Sequence, residues 1–162
     1  MAITYEVIAT ETVASATQFI TFSSIPQTFT DIILITDGLS QVGGGGSVFV
    51  KVNGDTPSTN YSSVYAFGSG SAVQGGTGDG FATNRHNATA LEGGNGHAHF
   101  MNYANATTYK TVVSHGGGNN ISIAFVSTWR STAAITSMRL QMESGPGFDV
   151  GFKATLFGIK AA

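Results

Sequence analysis

Hydrophobic and polar residues alternate with a period of two along most of this chain. Val48, Val50 and Val52 alternate with Phe49 and Lys51, and Ile121, Ile123, Phe125 and Trp129 alternate with Ser122, Ala124 and Thr128. Met138, Leu140 and Met142 alternate in the same way with Arg139, Gln141 and Glu143. Successive side chains of a strand leave opposite faces, so this pattern predicts half-buried strands with one apolar and one wet face. Two segments, 32–35 and 152–159, are apolar at both parities. Such strands belong at a sheet centre, or where a second surface covers the outer face. Further strands are predicted at Thr4–Ala9, Gln18–Phe22, Tyr61–Phe67, His97–Tyr103 and Tyr109–His115. The total is about ten, separated by turn-forming clusters such as SSIPQT, GGGGS, NYANATT, SHGGGNN and SGPG. No window of about 11 residues sustains a helical apolar face. The expected fold is therefore all-β: a single antiparallel β-sandwich, jelly-roll-like, with a closed barrel as the alternative.

Two stretches stand apart from this pattern. Gly68–Gly96 holds nine of the 22 glycines and few apolar residues, and it reads as a long Gly-rich loop insert of the kind that is functional, disordered or held by a partner. The segment 1–17 loses its core periodicity after Ala9 and is a candidate N-terminal arm. The 162 residues otherwise suit one domain with a sizeable core.

Composition narrows the function. Only 10% of residues are charged, against roughly 25% in ordinary soluble domains. The surface is thus expected to be neutral and rich in hydroxyls and amides, which suits packed assemblies or polar ligands. The seven basic residues are scattered singly and the net charge is −2, so no basic patch follows a phosphate backbone and no nucleic-acid partner is expected. Cysteine is absent, which excludes disulfides and thiolate metal sites. The opening MAITYEVIATETVAS lacks the basic region and apolar run of a signal peptide, and no run of about 18 apolar residues predicts a membrane partner.

Candidate chemistry is sparse. In VFVKVNGDTPSTNYS, Asn53-Gly54 follows an alternating strand and is a strong turn signal, because both residues tolerate positive φ. The functional alternative makes Asn53 and Asp55, with Asp31 or Asp37, oxygen ligands for calcium, which requires converging carboxylates. GGTGDG at 75–80 departs from the calcium-binding nonapeptide pattern, since its aspartate falls one place early and the unit does not repeat. His97 and His99 leave the same face of a strand and, with His86 or His115, would make a three-histidine metal site. Surface histidines on a polar strand face are commoner than ligands, so no metal or other cofactor is assigned. Trp129-Arg130 ends a strand, and the plain reading is a core indole beside a solvent-facing guanidinium. The alternative is stacking on a sugar ring, together with Tyr61, Tyr65, Tyr103 or Tyr109. No nucleophile elbow, P-loop or H-E-x-x-H motif occurs, and the nine acids are scattered, so no enzyme is expected. The residues best placed for loop contacts are Asn53, Asp55, Asn60, Tyr61, Asp79 and Arg85, with His97, His99, Trp129 and Arg130.

Several segments, taken in order, carry a resemblance. YEVIATETVASATQFITFSSIPQTFTDIILI, VKVNGDTPSTNYS, MNYANATTYKTVVS, WRSTAAITSMRLQM and FKATLFGIKAA resemble a family of small virion structural proteins from tailed phages, notably marine ones. The likeness covers most of the chain except Gly68–Gly96. It implies a β-sandwich subunit displayed on the particle and assembled in the host cytoplasm. The expected role is capsid decoration, as a homo-oligomer (a trimer) bound to the major capsid protein. The alternatives are a tail-fibre or receptor-binding module that contacts host glycan, or a carbohydrate-binding lectin-like domain.

Overall fold

The computed structural model describes residues 4–39, 47–78, 81–85, 94–118, 121–142 and 147–160. Within them the chain is an all-β antiparallel sandwich. Its strands are β1 (Thr4–Thr12), β2 (Phe19–Phe22), β3 (Asp31–Leu39), β4 (Ser47–Val52), β5 (Tyr61–Ser69) and β6 (Val73–Gly78). They continue as β7 (Phe81–Arg85), β8 (Gly94–Phe100), β9 (Lys110–Gly118), β10 (Ile121–Trp129), β11 (Met138–Met142) and β12 (Lys153–Lys160). Eight strands form one sheet in the order β1-β12-β3-β8-β9-β10-β5-β6, and four form the other in the order β2-β11-β4-β7. The pairings are antiparallel throughout. The chain changes sheet at most of its connections, as in a jelly roll.

The period-two pattern builds the core directly. Ile32 and Leu34 of β3, Phe100 of β8, Val112 of β9, Trp129 of β10 and Leu156 of β12 point inward from the large sheet. They meet Val48, Val50 and Val52 of β4, Leu140 of β11 and Ile20 and Phe22 of β2. Full burial of each such side chain is worth about 1.5–3 kcal/mol. A smaller cluster, Ile123 and Phe125 with Phe49, Tyr65 and Phe67, continues under the β10–β5 end.

Three expectations need correction. Gly68–Gly96 is not one long loop, because it contains β6, β7 and the start of β8, which serve as the two sheet edges and an inner strand. Glycine has no side chain to alternate, so β6 and the start of β8 carry no periodic signal, and β7, FATNR, is too short to show one. On Gly76, which faces Tyr65 across the β5–β6 pair, the tyrosine ring takes the missing side chain's place: a Cβ there would lie 2.6 Å from Tyr65 Oη. Segment 1–17 is not a detached arm over its described part, since β1 pairs with β12 and Val13 is buried beyond it. A bulge between Val7 and Ala9 turns both Ile8 and Ala9 toward the core, which breaks the alternation that a regular strand would show. Finally, the doubly apolar strands β3 and β12 are adjacent interior strands, while β8 and β9 hold the middle of the sheet.

Asn53 and Gly54 form a positive-φ turn, with φ of 52° and 70° and the Asp55 N–H donating to Val52 O at 2.8 Å. The turn does not close a hairpin. It carries the chain from β4 in the small sheet to β5 in the large one.

Candidate functional site

The residues singled out around NGD are drawn together at one end of the sandwich, but they face one another and not solvent. The Asp55 carboxylate accepts from Trp129 Nε1 at 2.6 Å through Oδ2, and from Asn60 Nδ2 at 2.8 Å through Oδ1. Tyr61 Oη donates to Asp55 O at 2.7 Å and accepts from the Val52 N–H at 3.2 Å. Burial, and then the Asp55 charge, outweigh the Val52 N–H and Arg139 and push the Tyr61 phenol up to about 12. Asn53 Oδ1 accepts from the backbone N–H groups of Thr136 and Ser137, and its Nδ2 donates to Ala134 O at 2.7 Å. The exposed Arg130 holds Thr59 O at 2.6 Å through Nη1.

This corrects the reading of these residues as a contact edge. Trp129 is 2% exposed and Tyr61 1% exposed, and Tyr103 is wholly buried, so none of the three offers a ring to a sugar. Asp55 spends both oxygens on N–H donors, which is the geometry of an anchor and not of a cation ligand.

The other conspicuous segments meet at the same end. Tyr103 Oη donates to Pro26 O, and the Ile135 N–H donates to Tyr103 O at 2.9 Å. Gln27 Nε2 bridges Ile25 O and Ile135 O, each at 2.9 Å. Buried Lys110 donates to Thr108 O and Thr132 O, and burial lowers its pKa. The IPQTF, NGD, MNYANATTYK and WRSTAAIT segments therefore form one hydrogen-bonded plate that ties the two sheets together.

The surface with binding character is the outer face of the large sheet. Strand register aligns Thr77, Val64, Val126, Val113, His99, Ile33, Phe157 and Val7 in one row across all eight strands. Val7 and Val64 are each 63% exposed and Val126 is 53% exposed. The next row runs Gly75, Ala66, Ala124, His115, His97, Ile35, Thr155 and Thr10. Apart from the histidines, neither row contains an ionisable side chain.

The histidines sit at the middle of this face. The His97 and His115 rings stack with centroids 4.7 Å apart, and His97 Nδ1 is buried without a hydrogen-bond partner. Burial first, and then His115 and His99, lower the His97 pKa. His99 Nε2 donates instead to Asp31 Oδ2 at 2.8 Å, while Asp31 Oδ1 accepts from the Asn102 N–H. His97 and His99 do share a face, but no group of three or more His, Asp or Glu among the described residues has metal-site geometry. Asp79 and His86 lie outside the described residues, and Arg85 closes β7 opposite Ser47.

A shallow groove of about 540 Å³ opens at the β5–β6 end, lined by Thr59, Ser62, Ser63, Thr77 and Arg130. Sequence reasoning missed Val7, Ile35, Val64, Val113 and Val126. Val126 lies at the parity assigned to water and Ile35 in a segment apolar at both parities, and only register reveals that the five adjoin. No protein-family model matches the chain, and no curated protein matches it.

Proposed function

We propose that this chain is a non-enzymatic structural subunit of a tailed-phage virion, a decoration protein that binds the major capsid shell. The observation that carries the reading is the outer face of the large sheet, which exposes Tyr5, Val7, Ile35, Val64, Val113 and Val126 on five of its eight strands. Exposed apolar area of this extent marks a surface built to be covered by another folded surface. The resemblance of five ordered segments to virion proteins supplies the setting, and the convergence of parts of four of them into a scaffold plate fits a role as building block. In this reading each subunit buries apolar strand face against neighbours, and many weak contacts repeated by particle symmetry give avidity. Folding in the host cytoplasm suits a chain without cysteine.

Electron cryo-microscopy of purified particles tests this. The expected result is density for the sandwich at regular positions on the capsid; density confined to the tail overturns the decoration role.

A receptor-binding role on host glycan is the second reading, favoured by the hydroxyl-lined groove beside Arg130. A glycan array on which Arg130→Ala abolishes specific binding is the result that would select it.

A further inference from the structure

We propose that a second copy of this chain covers the outer face of the large sheet, pairing with it about a twofold axis centred on the His97–His115 stack. The inference rests on the reading of that face as an assembly surface, and names its occupant.

Area is the first argument. Eight strands at about 4.8 Å and three residue rows at about 6.7 Å give the face a footprint of about 38 by about 20 Å, about 770 Å², close to the roughly 800 Å² that each partner contributes to a standard stable interface. The third row adds Tyr5, Ile159, Asp31, Thr111, Thr128 and Ser62, so imidazoles at the centre are flanked by apolar side chains, with polar groups along this rim.

Self-complementarity is the second. A closed pair must bring one patch against itself. An axis lying in the interface and running along the strands between β8 and β9 sets each row on its own reverse. Val64 then meets the partner's Phe157, Val126 the partner's Ile33, and Val113 the partner's His99. In the second row Ala66 meets the partner's Thr155, and His97 meets the partner's His115. No charged side chain of the two central rows meets a like charge while the imidazoles are neutral. Aligned sheet packing at about 10 Å separation accommodates side chains of these sizes.

The centre makes the pairing sensitive to acid. The ionisable groups facing His97 are His115 on β9, His99 on its own strand, Asp31 and Asp37 on β3, and Lys153 on β12; the outward residues of β10 are Ser122, Ala124, Val126 and Thr128. Asp31 already holds His99, and Asp37 lies opposite Lys153 in register. Neither carboxylate is placed to neutralise a protonated His97–His115 stack. The pair sets two copies of the His97–His115 stack at the axis, and protonating His97 there places charge in a desolvated centre. A neutral His97 favours the dimer, and because burial already holds its pKa below the ordinary histidine value, association is full at that value and weakens only as pH falls below it.

Sedimentation equilibrium on the purified full chain, at pH 8 and pH 5, tests the proposal, with circular dichroism monitoring the fold. The expected result is a dimer at about 100 µM and pH 8, with affinity at least about tenfold weaker at pH 5. Val126→Lys and Val64→Lys, both at exposed positions, are each expected to give folded monomers at pH 8. His97→Phe is expected to keep the dimer at pH 5. A wild-type monomer or trimer at pH 8, or a dimer that both lysine variants leave intact, overturns the twofold pairing. Binding of the same proteins to stripped particles separates the two readings. A wild-type monomer that binds particles, with Val126→Lys failing to bind, removes the self-pairing and keeps the assembly surface. Unchanged particle binding by Val126→Lys removes the assembly surface as well.

Discussion

The indole N–H of Trp129, at the end of β10, donates to the Asp55 carboxylate at 2.6 Å, joining the last residue of a large-sheet strand to the turn that leaves the small sheet. Trp129 is buried and Asp55 half-buried, and Asn60 occupies the remaining carboxylate oxygen. Asp55→Ala leaves the indole N–H and the Asn60 amide without their acceptor, and is expected to cost about 2–4 kcal/mol. Trp129 is the sole tryptophan, so its fluorescence during urea unfolding reports the site directly. Asp55→Ala with Trp129→Phe is expected to cost less than the two single changes summed. Additive costs would show that the contact carries no coupling.

Asn53 combines a left-handed backbone, φ 52°, with bonds to the segment before β11. Asn53→Ala loses both, and is expected to destabilise by about 2–4 kcal/mol. Asn53→Gly keeps the backbone freedom, and should recover about 1 kcal/mol of that loss. Chemical denaturation of the two variants separates the backbone share from the hydrogen-bond share. Equal stability of the two would remove the backbone contribution.

Tyr61 gives an alkaline signature. Its folded pKa is about 12 against an ordinary 10.0, so the unfolded chain loses the phenolic proton first. Stability is therefore whole below pH 10 and declines as pH rises toward 12, by about 2–3 kcal/mol. Lys110 acts in the opposite sense, because burial lowers its pKa from 10.5 and the folded state releases its proton first. Tyr61→Phe isolates the phenol: the difference between wild type and variant should narrow above pH 10. A constant difference from pH 8 to 12 would contradict the buried-phenol assignment.

Gly158 lies against the face of the Phe29 ring, where a Cβ would overlap the ring carbons. Gly158→Ala is expected to cost about 1–3 kcal/mol by overpacking. Removing the ring in Gly158→Ala with Phe29→Ala should recover part of that cost. Thermal unfolding of the single and double variants reads the effect, and a Gly158→Ala protein as stable as wild type would show that the ring yields without cost.

Much of the architecture was legible because strand alternation is a local property. Ile121–Trp129 and Met138–Met142 alternate, and they are strands β10 and β11 with those same limits. The turn at Asn53-Gly54 was equally legible, since positive φ is a preference of the residues themselves. The glycine-rich strand β6 was not, because a residue without a side chain writes no pattern, and the five residues of β7, FATNR, do not alternate. Nor was the bulge in β1, which turns two successive residues to one side.

The candidate surfaces depended on what lies across the fold. From the sequence alone came the sandwich class, the charge-poor surface and the segments that stand out: IPQTF, NGD, WRSTAAIT and FGIK. These follow from side-chain size, polarity and backbone preference over a few residues. Only the tertiary structure decided that Asp55, with its near neighbours Asn60 and Tyr61, meets Trp129 inside, since that last partner is 74 residues away in the chain. It also decided that Val7, Ile33, Val113, Val126 and Val64 share one row. Inter-strand register, set by packing of the opposite face, brings residues 7 and 126 onto a common surface, and no local pattern encodes which strand will lie beside which.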